Sequence, residues 1–300
     1  MKDKLHFVKK FPIFSIIAAV FCLVGLVSLL LLPFGVNFFN LDIDFIGGTT
    51  LQYNMHQEMD KAKMDQIAKS VEEVTGEPVS SIQKAGTNHD EVVIKTKTLD
   101  TATRDQVFNK LKGEYNLADS DILSVDNVDP VMGTDLRNSA ILAALLAVVL
   151  MLIYIAIRFD FKSGIAAVIA LMHDLMVMLS AYVIFQIPMN MNFIAAALTI
   201  LGYSINATII IFDRVRENRK LLRKVSFDDI VNTSIWQTLT RSVNTTITTL
   251  LTIVMVIIFG VSSIRHFAIP ITVGIVAGLY SSVFLSGPIW AKFMGSKKNA

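Results

Sequence analysis

The sequence predicts a polytopic α-helical membrane protein with six transmembrane helices and one folded α+β domain inserted between helices 1 and 2. Hydrophobic residues make up 53% of the 300 residues and charged residues only 17%, against about 25% charged residues in soluble globular domains. The apolar residues concentrate in six runs of about 20 residues, the length that a helix needs to cross the hydrocarbon core of a bilayer. A long acidic stretch separates the first run from the second. The lipid bilayer is therefore a second solvent for this chain.

The first apolar run follows a basic N-terminus and predicts an uncleaved membrane anchor. It is longer than the apolar core of a signal peptide, and no small-residue cleavage site of the A-x-A type follows it. The other five runs carry few charges and are each long enough to span the membrane. By residue number the six predicted spans are 12–32, 139–157, 164–185, 191–212, 241–260 and 267–289.

The placement of lysine and arginine predicts which span ends face the cytoplasm. Basic residues near span ends stay on the cytoplasmic side, and here they gather at the N-terminus, at 158–162, at 214–224 and at 292–298. Both termini are therefore expected in the cytoplasm, as in a multi-pass protein of the cell membrane. The predicted division is a cytoplasmic N-terminus (1–11), transmembrane helix 1 (12–36), an extracytoplasmic domain (37–137), transmembrane helices 2 to 6 (138–293) with a cytoplasmic loop (213–240), and a cytoplasmic C-terminus (294–300).

The segment 37–137 alternates strand and helix patterns and predicts an α+β domain. It carries 10 Lys and Arg against 18 Asp and Glu, a net charge of −8, which leaves +10 on the rest of the chain. Strands are predicted at 50–55, 81–84, 91–98 and 122–128, and helices at 59–74 and 101–115. The order β-α-β-β-α-β is that of the ferredoxin-like split βαβ fold. That fold hosts many functions and specifies none of them.

The chain lacks the motifs of several function classes. No H-E-x-x-H, G-x-x-x-x-G-K-[ST] or G-x-S-x-G pattern occurs, which argues against a zinc protease, a nucleotide-binding enzyme and a serine hydrolase. His56, His89, Asp42 and Asp44 show no paired ligand spacing and are expected on the solvated surface. The lone Cys22 allows no disulfide framework, and a net charge of +2 argues against nucleic-acid binding. We expect no enzyme activity, no metal and no cofactor.

Ionisable residues inside predicted spans are the candidate functional residues, because a charge in the bilayer is costly and points to a pathway or a partner. Asp174, next to His173, lies about halfway along the third span, and Arg241 opens the fifth. Asp213, at the end of the fourth span, is explained at least as well by a simple ion pair or by anchoring at the membrane surface.

Two helix faces are too polar to face lipid. On the fifth span Arg241, Thr245, Thr248 and Thr252 recur at helical spacing with Thr249 beside them, and on the fourth span Thr199, Tyr203 and Asn206 share a face with Gly202. These faces predict either a protein-lined, wet cavity or interhelical hydrogen bonds that serve only packing. Gly202 would allow another backbone to approach closely, and Gly274 and Gly278 form a G-x-x-x-G pattern that predicts close helix packing.

Short sequence motifs, together with the order of spans and insert along the chain, resemble those of the SecF family. Residues 44–49 read Asp-Phe-Ile-Gly-Gly-Thr, and residues 202–206 read Gly-Tyr-Ser-Ile-Asn before Asp213-Arg214-Val215-Arg216. The positions that match the family's motifs are Asp44, Gly47, Gly48, Thr49, Gly202 and Arg214, and His173-Asp174 and Arg241 also fall where similar proteins carry them. The resemblance covers nearly the whole chain, and the combination of strings is far more specific than any one of them.

The resemblance implies a subunit of the bacterial Sec protein-export machinery, within the resistance-nodulation-division superfamily of transporters. SecF proteins pair with SecD, which is similar in topology, to form a bundle of twelve spans. The pair associates with the SecYEG channel and uses the proton-motive force to draw preproteins outward after the ATP-driven stage. The same superfamily also exports lipids and small molecules, an alternative that the single short insert disfavours.

One position departs from the family pattern. SecF proteins commonly carry an aspartate directly after the residue equivalent to Asn206, where this chain has Ala207. If that carboxylate belongs to the proton path, the group must come from Asp174, from Asp213 or from SecD, and the partner ranks first because shared sites lie between the two halves of such transporters. Arg241 stays protonated and would hold a partner carboxylate charged. The alternative is a scaffold subunit that stabilises the translocase without conducting protons.

Overall fold

The structure is a computed structural model that describes residues 5–86, 90–222, 224–260 and 262–295. The predicted hairpin turn with His89, the first four residues and the last five lie outside the described residues. Within the described ranges six helical segments are long and apolar enough to cross a membrane, and each overlaps one predicted span. They are Phe11–Phe34, Val131–Arg158, Phe161–Ile184, Met191–Leu221, Phe227–Phe259 and Ile264–Met294.

The secondary structure consists of ten described α-helices and four strands. In chain order the helices are α1 (Phe11–Leu31), α2 (Ile43–Ile46), α3 (Lys61–Thr75), α4 (Thr101–Tyr115), α5 (Pro130–Arg158), α6 (Phe161–Ile184), α7 (Met191–Leu221), α8 (Phe227–Phe259), α9 (Ser262–Ser281) and α10 (Gly287–Met294). The strands are β1 (Gly48–Asn54), β2 (Ser81–Ala85), β3 (Glu91–Thr96) and β4 (Ile122–Val128). A π-helical turn at Ser282–Ser286 joins α9 to α10.

The insert domain, residues 48–128, is a four-stranded antiparallel sheet with two helices on one face. The strand order is β2-β3-β1-β4, and α3 and α4 cover a core that includes the fully buried Leu51, Ile67 and Leu111. Both helices begin at an aspartate cap, since Asp60 and Asp100 each accept a hydrogen bond from the third helical amide. Local caps and alternating burial therefore explain why the β-α-β-β-α-β order forms here.

The helical bundle packs most closely where glycine replaces a larger side chain. A Cβ atom on Gly25 of α1 would lie 2.5 Å from the carbonyl oxygen of Met176 on α6. On α9, Cβ atoms on Gly274 and Gly278 would lie 2.1 Å from Ile200 and 3.1 Å from Ser204 of α7. The close packing predicted from the G-x-x-x-G pattern is therefore confirmed. In contrast, α1 and α5 expose many large apolar side chains, as expected of helices that face lipid.

The helices extend beyond two predicted boundaries, because hydropathy marks the edge of the apolar run and not the end of the helix. The predicted cytoplasmic segment 213–240 is mostly helical: α7 continues to Leu221 and α8 begins at Phe227, capped by the Ser226 hydroxyl. Arg241, the first residue of the predicted fifth span, consequently lies near the middle of the longer helix α8. Residues 130–137, at the end of the predicted extracytoplasmic domain, form the first turns of α5, because Asp129 caps the helix ahead of a proline at its first position.

A buried ion pair joins the insert domain to the membrane helices. Lys95 of β3 donates to both carboxylate oxygens of Asp42 at 2.7 Å, and the Asp42 amide donates to the carbonyl oxygen of Met189 in the α6–α7 loop at 2.9 Å. Asp42 is 7% exposed, so its predicted place on the solvated surface is wrong. The carboxylate is drawn inward because it caps the short helix α2 and meets a lysine there.

Candidate functional site

The Asp174 carboxylate lies in the interior of the bundle, where three helices meet. It is fully buried on α6. One carboxylate oxygen, Oδ2, accepts hydrogen bonds from the Ser204 hydroxyl of α7 at 2.5 Å and from the Ser281 hydroxyl of α9 at 2.8 Å. The other, Oδ1, lies 2.9 Å from Nδ1 of His173. A single carboxylate thus connects α6, α7 and α9.

His173 completes this cluster and leaves one polar atom without a described partner. Its side chain is only 8% exposed, and its second ring nitrogen, Nε2, is buried with no hydrogen bond to any described residue. The Tyr280 ring stacks on the imidazole, with 5.9 Å between ring centroids. The Cys22 thiol of α1 lies 3.6 Å from the His173 carbonyl oxygen. Buried polar atoms nearly always form a hydrogen bond, so Nε2, which is unpaired among the described residues, is a candidate functional atom.

Sequence reasoning identified Asp174 but missed its two serine partners. Ser204 lies inside the Gly-Tyr-Ser-Ile-Asn string, and Ser281 belongs to a group of serines, Ser281, Ser282 and Ser286, within the last apolar run. Hydroxyl groups in an apolar run were the available signal. The spacing gave no indication that Ser281 meets a carboxylate 107 residues away.

The polar face of α8 points away from the rest of the chain. Arg241, Thr245, Thr248 and Thr252 are all exposed. The three threonine hydroxyls donate to carbonyl oxygens of α8 itself, at 2.7 to 2.9 Å in their shorter bonds. Among the described residues these threonines therefore make no hydrogen bond to another helix. The alternative prediction, that their hydroxyls form interhelical hydrogen bonds for packing, is wrong for them within this chain.

The neighbouring face of α7 is exposed in the same way, except at its tyrosine. Asn206 and Thr199 are exposed, and no described atom lies within 4 Å of the place where a Cβ of Gly202 would stand. The close approach predicted at Gly202 is thus not made by any described part of this chain. The Tyr203 hydroxyl instead turns toward α8, where it lies 3.4 Å from the hydroxyls of Thr246 and Thr249.

The structure does not bring Asp174, Arg241 and Asp213 together. Asp213 is exposed near the C-terminal end of α7, 3.4 Å from Arg158. It follows Ser204 by nine residues, which is about 13 Å along a helix. Arg214 bonds Glu217 and Gln237, both at 2.6 Å, as expected of a helix-end ion pair. Ala207 is partly buried on α7 beside the exposed Asn206.

The motif at 44–49 is a structural joint between the first span, the insert domain and α7. Asp44 accepts a 2.8 Å hydrogen bond from the first amide of α7. Gly47 and Gly48 have φ angles of 78° and 148°, in a backbone region that residues other than glycine rarely adopt. Thr49 is fully buried, and its hydroxyl donates a 2.9 Å bond to a side-chain oxygen on β4. These residues position the insert domain.

Known proteins are similar in sequence to this chain over nearly its full length. A family model described as "Protein export membrane protein SecD/SecF, C-terminal" matches residues 107–296. The protein translocase subunit SecF of Acidaminococcus fermentans is 39% identical over 297 residues, covering 97% of this chain and 97% of that protein. The subunit SecDF of Bacillus subtilis is 34% identical over 296 residues, which covers 98% of this chain and 38% of that protein.

A solved structure shares the fold. The crystal structure of SecDF from Thermus thermophilus, described as a translocon-associated membrane protein, matches with a TM-score of 0.84 at 30% sequence identity, over 97% of this chain and 39% of that one. The chain spans less than two fifths of these SecDF proteins and nearly all of the SecF relative.

Proposed function

Because this chain belongs to the SecF family, whose members are subunits of the Sec protein translocase, we propose that it works with SecD and uses the proton-motive force to promote late-stage preprotein export across the cytoplasmic membrane. The activity is mechanical and involves no catalysis. The SecYEG channel supplies the path for the preprotein, and this subunit acts on the chain that emerges from it.

The observation that carries the proposal is the exposed polar face of α7 and α8. A charged side chain within a membrane span is costly against lipid, so Arg241 and the threonine face that continues from it require a protein partner or water. SecD is the partner proposed here, because SecDF relatives carry both parts in one polypeptide. Gly202 leaves room for a partner helix to approach this face.

The insert domain is proposed to be the moving part. We place this ferredoxin-like domain outside the cytoplasmic membrane and both chain termini inside, as the distribution of lysine and arginine favours. The Asp42–Lys95 pair and the joint at 44–49 connect it to the α6–α7 loop. A shift of the membrane helices would therefore be transmitted to a domain in contact with the emerging preprotein.

Protons supply enough energy for this work. One charge that crosses the full membrane potential is worth about 2.3 kcal/mol per 100 mV. A few protons per cycle would shift a conformational equilibrium by several kcal/mol, which is sufficient to convert one dominant state into another.

A second candidate function follows from Ala207. Alanine binds no proton, so a chain with alanine at this position could stabilise the translocase as a scaffold without conducting protons. The two functions differ in one respect: a scaffold responds to the loss of packing or of the insert domain, and its contribution to export is independent of the proton gradient.

Photocrosslinking tests the proposed partner. A photoreactive amino acid at Thr248, on the exposed polar face, should form an adduct with SecD in intact membranes. The same group at Leu146, an exposed apolar position on α5, is the matched control and should react mainly with lipid. Equal SecD adducts at both positions, or none at Thr248, would show that the polar face is not the SecD interface.

A further inference from the structure

We propose that Asp174 is a proton-operated clasp, which holds α6 against α7 and α9 when the carboxylate is charged and releases α9 at Ser281 when a proton binds. The inference rests on the proposed function, since it identifies where within this chain the proton acts. It uses a cluster of residues that lies apart from the exposed faces of α7 and α8.

The charged clasp holds because all the bonds converge on one carboxylate. Ser204 and Ser281 both donate to Oδ2, at 2.5 and 2.8 Å, and Nδ1 of His173 lies 2.9 Å from Oδ1. Hydrogen bonds to a charged group are about twice as strong as neutral ones. In a fully buried site these bonds also compensate the cost of removing the charge from water. The charge on Asp174 is thus the common element in the contacts of three helices.

His173 provides a route for the proton. In the charged state Nδ1–H of the neutral imidazole donates to Oδ1 of Asp174. An incoming proton binds Nε2, and the Nδ1 proton passes to Oδ1. The imidazole is then neutral again with its proton on Nε2, Asp174 is a neutral carboxylic acid, and the pair has gained one proton. The buried Nε2, which has no described hydrogen-bond partner, is the entry point for this transfer.

Neutralisation of Asp174 weakens the contact to α9 more than the contact to α7. The Ser281 hydroxyl has a second acceptor in reach, the carbonyl oxygen of Gly278 at 3.3 Å on its own helix. Ser204 has a shorter bond to the carboxylate, and its hydroxyl donates to no second acceptor among the described residues. When the charge is lost, Ser281 therefore turns to Gly278, and α9 is the helix that is released.

The segment after Ser281 is suited to movement. Ser282–Ser286 forms a π-helical turn, a form that occurs mostly as single turns inside α-helices and is frequent at functional sites. A helix can change its hydrogen-bond register at such a turn without unfolding. Release at Ser281 would therefore shift α9 relative to α10, at a point where α9 also packs on α7 through Gly278.

No described lysine, arginine or second carboxylate adds a fixed charge to the pair formed by Asp174 and His173. Within ion-pair distance Asp174 meets His173 and no described lysine or arginine. The neighbouring helices contribute the Cys22 thiol of α1, the Tyr280 phenol of α9, and hydroxyls. The Tyr280 hydroxyl donates to the Phe14 carbonyl oxygen at 2.8 Å. A proton bound here is consequently not opposed by a second fixed charge.

The test combines infrared spectroscopy with a distance measurement on the full chain assembled with SecD in liposomes. Acidification protonates many exposed carboxyl groups, so the band to follow is the C=O stretch of a carboxyl group shielded from solvent exchange; the wild type should show this band and Asp174→Asn should lack it. Asp213→Asn, which removes an exposed carboxylate on α7, is the matched control and should retain the band. A band that persists in Asp174→Asn would overturn the proposal.

Spin labels at Ile169 of α6 and Val276 of α9, both exposed, report release in a Cys22→Ala background. The distance between the labels should change with pH in the wild type, and Asp174→Asn should show the acidic distance at every pH. Ser281→Ala is the second variant: it should show the acidic distance throughout and still titrate in the infrared. A wild-type pH response of the distance in either variant would overturn the clasp.

Export measurements separate this inference from the proposed function. If the wild type responds to the proton gradient and Asp174→Asn responds equally, the clasp is wrong and the proton-driven function stands. If Asp174 titrates and α9 shifts as expected while wild-type export ignores the gradient, the clasp stands and the coupling of protons to export is wrong.

Discussion

Replacing Lys95 with methionine is expected to loosen the joint between the insert domain and the membrane helices by about 3 kcal/mol. In the wild type the Lys95 ammonium lies 2.7 Å from both oxygens of Asp42. Their side chains are 16% and 6% exposed. Removal of one partner of a buried ion pair costs about 3–5 kcal/mol, because the other charge stays buried without compensation. The lower end of that range applies here, since Asp42 keeps the Ile43 amide as a donor.

Hydrogen exchange measures this loss at the joint itself. The Asp42 amide donates to Met189, and the Met189 amide donates to the carbonyl oxygen of Asn40, so both amides exchange only when the joint opens. A loss of about 3 kcal/mol corresponds to an exchange rate about 150 times faster. Exchange is followed by mass spectrometry on the full chain in complex with SecD, in peptides that cover residues 40–46 and 187–192.

Two matched variants make the prediction specific. Lys97→Met breaks an exposed ion pair with Glu77, whose partners are 73% and 47% exposed, and such pairs are worth less than about 1 kcal/mol. The double variant Asp42→Asn with Lys95→Met removes both charges and should recover most of the protection. The reasoning is refuted if Lys95→Met exchanges no faster than Lys97→Met, or if the double variant exchanges as fast as the single one.

Two further substitutions probe helix packing and acid stability. Gly25→Ala should lower the free energy of unfolding by about 1–3 kcal/mol, because the new Cβ would meet the Met176 carbonyl oxygen at 2.5 Å. The control Gly113→Ala on α4, where a Cβ would have no atom within 4 Å, should be neutral or stabilising. Equal losses of unfolding free energy in the two variants would contradict this prediction. The hydrogen bond from the Ala118 amide holds the pKa of Asp121 below its ordinary value. Its contribution is therefore complete above the unfolded pKa of about 4 and is lost as the pH falls further. The stability difference between wild type and Asp121→Asn, from thermal unfolding of the full chain, should shrink below about pH 4, and a constant difference would refute this.

The parts of the fold that depend on local signals could be predicted from the sequence. Helix α4 and strand β4 begin and end where the pattern placed them, at 101–115 and 122–128, because an aspartate cap and a left-handed asparagine mark the helix ends. The helical extensions at 213–240 escaped the same reasoning. There the chain leaves the apolar run but continues as helix, supported by the Arg214–Glu217 pair and the Ser226 cap.

The candidate site was predictable only in part, for a physical reason. A carboxylate in an apolar run is visible in the sequence, so Asp174 could be identified. Its partners depend on how helices pack: Ser204 and Ser281 lie 30 and 107 residues away along the chain. The sequence also showed the polar spacing on α8, but not that the threonines would bond their own helix and leave the face open to a partner.

Preprotein export from membrane vesicles tests the central claim most directly. Vesicles that contain this subunit and SecD are compared with and without an imposed proton gradient, for the wild type, for Arg241→Ala and for Arg216→Ala, an exposed arginine near the end of α7. The account predicts that late-stage export of the wild type and Arg216→Ala responds to the gradient, and that Arg241→Ala assembles but loses the response. If the gradient and Arg241→Ala have no effect while removal of the subunit still slows export, the chain is a scaffold and the proton-driven account is wrong.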